Sequence, residues 1–122
     1  MPWNLYNNRP IYLQLVERIQ MDIVSGVYHA GDKLPSVREL AADAAVNPNT
    51  MQRALTELER EGLLIGGGTS GRTVTKEEQV LSAMRQKALE DLARECAEKF
   101  MVFGVTPGQA AELLRKLEKE EE

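Results

Sequence analysis

Residues 34 to 64 read LPSVRELAADAAVNPNTMQRALTELEREGLL, and this stretch decides the fold. Ser36 followed three residues later by Glu39 is a reciprocal capping pattern that opens a helix, and Pro35 keeps that helix from starting earlier. Val37, Leu40 and Ala44 give it one apolar stripe and leave Arg38 and Asp43 off that stripe. A second helix opens at Asn47 as cap, with Pro48 at the first helical position, where its missing N–H costs nothing. Met51, Ala54, Leu55 and Leu58 fall on one face of it; Asn49, Gln52, Arg53 and Thr56 fall on the other. Two short helices meeting at a corner, with a hairpin after them, predict a helix-turn-helix.

The polar face of the second helix suits the major groove of DNA. Asn and Gln can bond adenine bidentately, and Arg can do so with guanine. Thr50 lies near the helix start, where phosphates dock, and Arg38 and Arg72 are placed to meet the backbone or a groove edge. A blander reading uses the same residues: a solvated face on which Arg53 pairs with Glu57 one turn on.

Working outward, Gly62 stops the second helix and Leu63 to Ile65 reads as a strand, with Arg72 to Thr75 as its hairpin partner and Gly66 to Gly71 as the wing between them. Gly66, Gly71, Arg72 and Thr73 nearly satisfy a phosphate-binding loop. They fail on the lysine, on the β-branched run that follows, and on the lack of chain for a parallel sheet. Upstream, Met1 to Arg9 carries Trp3, Leu5 and Tyr6 and reads as an ordered arm. Pro10 opens a scaffold helix with Ile11, Leu15, Ile19 and Ile23 on one face, and Ser25-Gly26 closes it.

Downstream, a long helix is predicted from Lys76 to Phe103, with Leu81, Met84, Ala88, Leu92, Cys96 and Phe100 in a stripe. Gly104 ends it. Thr106, Pro107 and Gln109 then start a last helix with Leu113, Leu114 and Leu117 on its apolar side, and Glu118 to Glu122 forms a charged end expected to fray.

A chain of 122 residues has room for one domain and a small appendage, and 43% hydrophobic residues support a core. The net charge of −4 is unevenly placed. Residues 1–76 carry eight Lys or Arg against eight Asp or Glu, and residues 77–122 carry seven against eleven, so the acidity belongs to the tail. The head can bind DNA through locally placed arginines, helix N-termini and backbone N–H groups, with weak and salt-sensitive non-specific affinity. No apolar run approaches membrane-spanning length and no signal sequence follows Met1, so a cytoplasmic, non-membrane protein is expected. The single cysteine, Cys96, reads as small core packing and fits a reducing compartment. The single histidine, His29, sits in a polar loop without a nucleophile motif or a ligand cluster, so no catalytic site, metal or cofactor is expected.

Several segments together resemble the GntR family of bacterial regulators, and its short-tailed YtrA-like branch most closely. They are Pro10-Ile11-Tyr12-Leu13-Gln14, Gly26, Gly31 to Ala41, Asn47 to Ala54 and Leu58 to Gly62. The resemblance is dense from Pro10 to Thr75. In the tail it is one of length and helical character. It implies a winged helix-turn-helix with an arginine at position 38 that contacts DNA, and a short two-helix tail that serves dimerisation. The family's wing usually carries an aromatic where this chain has Thr73.

The resulting expectation is a mainly α protein with a small β-hairpin. Residues 1–76 form a winged helix-turn-helix domain that binds double-stranded DNA through Ser36, Arg38, Asn47, Pro48, Asn49, Thr50, Gln52, Arg53, Gly71 and Arg72. Residues 77–122 form a dimerisation tail acting through Leu81, Met84, Leu92, Phe100, Leu113 and Leu117. A two-fold reader suits a pseudo-palindromic operator, and the expected role is that of a homodimeric repressor. Two unpartnered helices build no enclosed chamber, so any small-molecule effector is expected at the dimer interface or between tail and head. The rival reading is a winged-helix module for protein assembly, with the face of Asn49, Gln52 and Arg53 docking a protein.

Overall fold

The computed structural model describes residues 2–66 and 71–121. Positions 67–70, the middle of the expected wing, lie outside the described residues. In chain order the elements are α1 (Ile11–Val24), α2 (Val37–Ala44), α3 (Pro48–Arg60), β1 (Leu64–Gly66), β2 (Arg72–Val74), α4 (Glu78–Val102) and α5 (Pro107–Glu121). The chain divides into two compact units, Met1–Arg85 and Gln86–Glu122.

In the first unit α3 is the central element, packed by α1, α2 and β1. Its apolar face disappears completely: Met51, Ala54, Leu55 and Leu58 are buried against Leu15 and Ile19 of α1, Leu40 of α2, and Leu64 and Val74 of the hairpin. Each such large side chain contributes about 1.5–3 kcal/mol on burial, which a helix as short as α2 needs from its neighbours.

The caps expected from sequence are present. Ser36 Oγ accepts from the Glu39 N–H at 3.1 Å while the Glu39 carboxylate accepts from the Ser36 N–H, and Asn47 Oδ1 accepts from the Asn49 N–H at 2.8 Å. The corner between α2 and α3 turns at Ala45, which adopts a left-handed conformation with φ +57°.

β1 and β2 pair antiparallel in the register Leu64↔Val74, Ile65↔Thr73 and Gly66↔Arg72. The other edge of β2 is used as well. The Leu34 N–H donates to the Arg72 carbonyl and the Val74 N–H to the Asp32 carbonyl, both at 2.9 Å, so the segment entering α2 runs beside the wing.

The N-terminal arm has a definite seat. Trp3 Nε1 donates to Asp43 of α2 at 2.8 Å, and the Arg18 guanidinium lies over the indole, 4.6 Å from the ring centroid. Gln14 holds the next residues: its amide donates to the carbonyls of Tyr6 and Arg9, and its oxygen accepts from the Tyr6 N–H. The arm is thereby fastened to α1 and α2 together.

The first unit runs past position 76 to Arg85 because Val80, Leu81 and Met84, in the first turns of α4, rest on its core. In the second unit α4 turns into α5 through Gly104, whose φ of +73° satisfies the end of the helix, and Thr106 and Gln109 cap α5 reciprocally. Ala110 is buried there, but among the described residues α4 has no buried side chain at all. Cys96 therefore differs from the expected core packing: it is half-buried, lining an open apolar trough. α5 stays helical through Glu121, across most of the segment expected to fray. No helix among the described residues is long and apolar enough to cross a membrane.

Candidate nucleic-acid interface

Three elements converge on one open cleft of about 480 Å³: the N-terminus of α2, the outer face of α3, and the base of the wing. Ser36, Gln52, Glu59, Gly71 and Arg72 line it. The fold thus brings together four of the expected site residues, Ser36, Gln52, Gly71 and Arg72, across nearly forty positions of chain.

Their chemistry divides by local role. Ser36 and Asn47 are spent as caps, and Pro48 starts α3, so these three shape the surface and aim the helix. Asn49, Gln52 and Arg53 are exposed on α3, while Thr50 is half-buried beside its first turn. Arg38 is exposed in the first turn of α2, with no ionic or hydrogen-bonding partner among the described residues. Its charge is therefore available to a ligand. Among the described residues Gln52 makes only a long contact to Thr56 Oγ1, 3.4 Å, which solvent or a base edge can replace.

The two remaining arginines are engaged. Arg72 Nε donates to Glu59 Oε1 at 2.5 Å, and both side chains are largely covered. Arg53 does not pair with Glu57. That carboxylate is taken by Arg60, whose Nη2 and Nε donate to it at 2.5 and 3.1 Å and hold it below the ordinary carboxylate range. Arg53 instead lies over the ring of Tyr12 of α1, its guanidinium carbon 3.7 Å from the ring centroid.

Sequence reasoning missed Tyr12, Glu59 and Lys33 as members of this surface. Glu59 was within reach of it, since Gln52 and Glu59 are two helical turns apart on one face. Tyr12 and Lys33 were not, because their neighbours come from other elements: Lys33 bridges to Thr73 at the foot of the wing and its side chain lies beside Gly71.

The residues expected to dimerise fall into two groups. Leu81 and Met84 are half-buried on the first unit's own core. In the second unit Leu92, Leu113 and Leu117 are 46–55% exposed, and Phe100 lines a trough of about 490 Å³ with Cys96, Phe103, Val105 and Leu113. Met101, Val102 and Phe103 are also open to solvent, Val102 and Phe103 more than 80% so.

A short two-helix corner with a polar outer helix, a capped N-terminal approach and a hairpin wing define the class of the winged helix-turn-helix regulators. The family description "Bacterial regulatory proteins, gntR family" matches residues 11–74, and the chain belongs to that family, one of transcription regulators and not of enzymes. Among its relatives, an uncharacterised helix-turn-helix regulator of Bacillus subtilis, YhcF, is 31% identical over 87% of this chain and 88% of its own. The transcriptional repressor YtrA of Bacillus subtilis is 47% identical over 48% of this chain and 45% of its own. A GntR family transcriptional regulator from Listeria monocytogenes has the same fold over 92% of this chain and 98% of its own, with a TM-score of 0.81 and 32% identity. The DNA-binding domain of AraR, solved with its operator ORE1, matches 62% of this chain and 94% of its own with a TM-score of 0.54 and 27% identity.

Proposed function

We propose that the chain is a cytoplasmic, homodimeric repressor that reads a pseudo-palindromic operator with α3. The observation that carries the reading is the exposed row of Asn49, Gln52 and Arg53, on a helix whose whole opposite face is buried. Such a helix is rigid, and its outer face offers the donor and acceptor sets that discriminate adenine and guanine edges. Arg38 sits at the neighbouring helix start, where backbone phosphates are met, and Arg72 holds the wing beside the groove. The likeness to the operator-bound AraR domain supports the docking of this unit on duplex DNA, and the likeness to YtrA supports repression.

The second unit supports dimerisation through its uncovered apolar surface. Leu92, Phe100, Leu113 and Leu117, with Val102 and Phe103 at the corner, suit a second copy of the chain, and a dimer would set two α3 helices about one turn of DNA apart. Dimerisation rests on this surface and not on Leu81 or Met84, which their own core occupies.

The test begins with duplexes selected by the full-length chain from a randomised library. Arg53→Ala and Gln52→Ala should each cost about 1–3 kcal/mol on the selected duplex and little on a scrambled one. Equal losses on both would show that the face does not read sequence and would favour a protein-docking role for it.

A further inference from the structure

We propose that Tyr12 is a positioning residue for DNA reading: its ring holds the Arg53 guanidinium in a fixed orientation without consuming its charge or its donors. The inference rests on the reading of α3 proposed above and adds a residue outside the helix-turn-helix to it.

The geometry separates two ways of restraining an arginine. A carboxylate partner would neutralise the guanidinium and occupy its N–H donors, and any base edge or phosphate would have to displace it. A ring beneath the plane does neither. With the guanidinium carbon 3.7 Å from the ring centroid the attraction acts on the ring face, and among the described residues no acceptor takes an Arg53 N–H. The Glu57 carboxylate one turn on is hydrogen-bonded by two donors of Arg60 and meets Arg53 only through space, so among the described residues the direct contact of the Arg53 guanidinium is the Tyr12 ring.

The ring itself is held in place. Tyr12 is half-buried in the first turn of α1, and α1 packs directly on α3. The loss of side-chain freedom that a long arginine suffers on binding is thus largely met before DNA arrives. A free arginine on the same helix would carry that cost into every encounter.

The experiment uses the full-length chain, the library-selected duplex and a scrambled duplex. Tyr12→Leu should weaken binding to the selected duplex by roughly three- to tenfold while leaving the scrambled duplex nearly unchanged, and Tyr12→Phe, which keeps the ring, should restore wild-type selectivity. On an Arg53→Ala background Tyr12→Leu should have no further effect, because its action passes through Arg53. Tyr12→Met serves as the second variant should the leucine form fail to fold. In the unaltered chain the Arg53 side-chain protons should show an upfield ring-current shift by NMR.

Tighter binding by Tyr12→Leu, an equal loss on both duplexes, a loss that persists without Arg53, or an absent ring-current shift would each overturn the proposal. The underlying reading is separable. If Arg53→Ala loses affinity selectively and Tyr12→Leu does not, only the role of Tyr12 falls; if Arg53→Ala weakens both duplexes alike, sequence reading by this face falls and the role of Tyr12 with it.

Discussion

Arg72 Nε donates to Glu59 Oε1 at 2.5 Å, so the outgoing strand of the wing is anchored to the last turn of α3. Gly66, on the incoming strand, closes over the same carboxylate: a Cβ there would come within 2.5 Å of Glu59 Oε2. One acidic side chain therefore sets the distance between wing and recognition helix.

Loss of this anchor is expected to affect all duplexes alike. Glu59→Ala should lower stability by about 1 kcal/mol in urea and weaken selected and scrambled DNA equally, since no base contact is removed. Arg72→Ala should do the same, with a salt slope reduced by less than the roughly 0.9 expected for each free phosphate contact. A full-unit fall in the salt series would mean that Arg72 exchanges Glu59 for a phosphate when DNA binds.

The oligomeric state should depend on the second unit. A chain ending at Arg85 keeps Val80, Leu81 and Met84 on the core, so it should fold, sediment as a monomer and bind a palindromic duplex far more weakly than the full chain. Phe103→Glu or Leu117→Glu in the full chain should give the same monomer by placing a charge on the apolar face. A dimer that survives both changes would place the interface elsewhere.

Tyr28 supplies an alkaline limit. Burial, followed by the nearby Asp22 carboxylate, raises its phenol above the ordinary value of 10.0. The folded state thus holds its proton where the unfolded chain has begun to release it. The associated stability is complete below pH 10 and is lost as pH rises through the folded value. Tyr28→Phe should flatten the decline above pH 10 seen in urea midpoints across a pH series, and an unchanged decline would count against this origin.

The corner of the helix-turn-helix contains a correctable strain. Ala45 at φ +57° is the one non-glycine residue with positive φ among those described. A left-handed alanine costs about 1–2 kcal/mol, whereas asparagine tolerates the conformation without glycine's entropy. Ala45→Asn should raise stability by roughly 0.5–1 kcal/mol and leave DNA affinity unchanged, as thermal melts and binding curves would show.

What the sequence determined by itself was everything carried by short-range chemistry. The caps at Ser36, Asn47 and Thr106, the prolines at the starts of α3 and α5, the glycine stops and the buried stripe of Met51, Ala54, Leu55 and Leu58 are all relations over a few residues, and each occurs where local rules put it. The exposed face of Asn49, Gln52 and Arg53 followed from the same helical period. Tertiary structure decided the pairings between distant elements. A charged side chain has several partners within reach of its own helix, and only packing selects among them. Arg53 turned from Glu57 to Tyr12, Glu57 went to Arg60, Glu59 took Arg72, and Trp3 crossed to Asp43 because α1, α2, α3 and the wing share one core. The stripe of α4 divides for the same reason: Leu81 and Met84 lie against that core, whereas in the second unit Leu92 is exposed and Phe100 lines an open trough, and a sequence period registers which residues are apolar but not which surface reaches them.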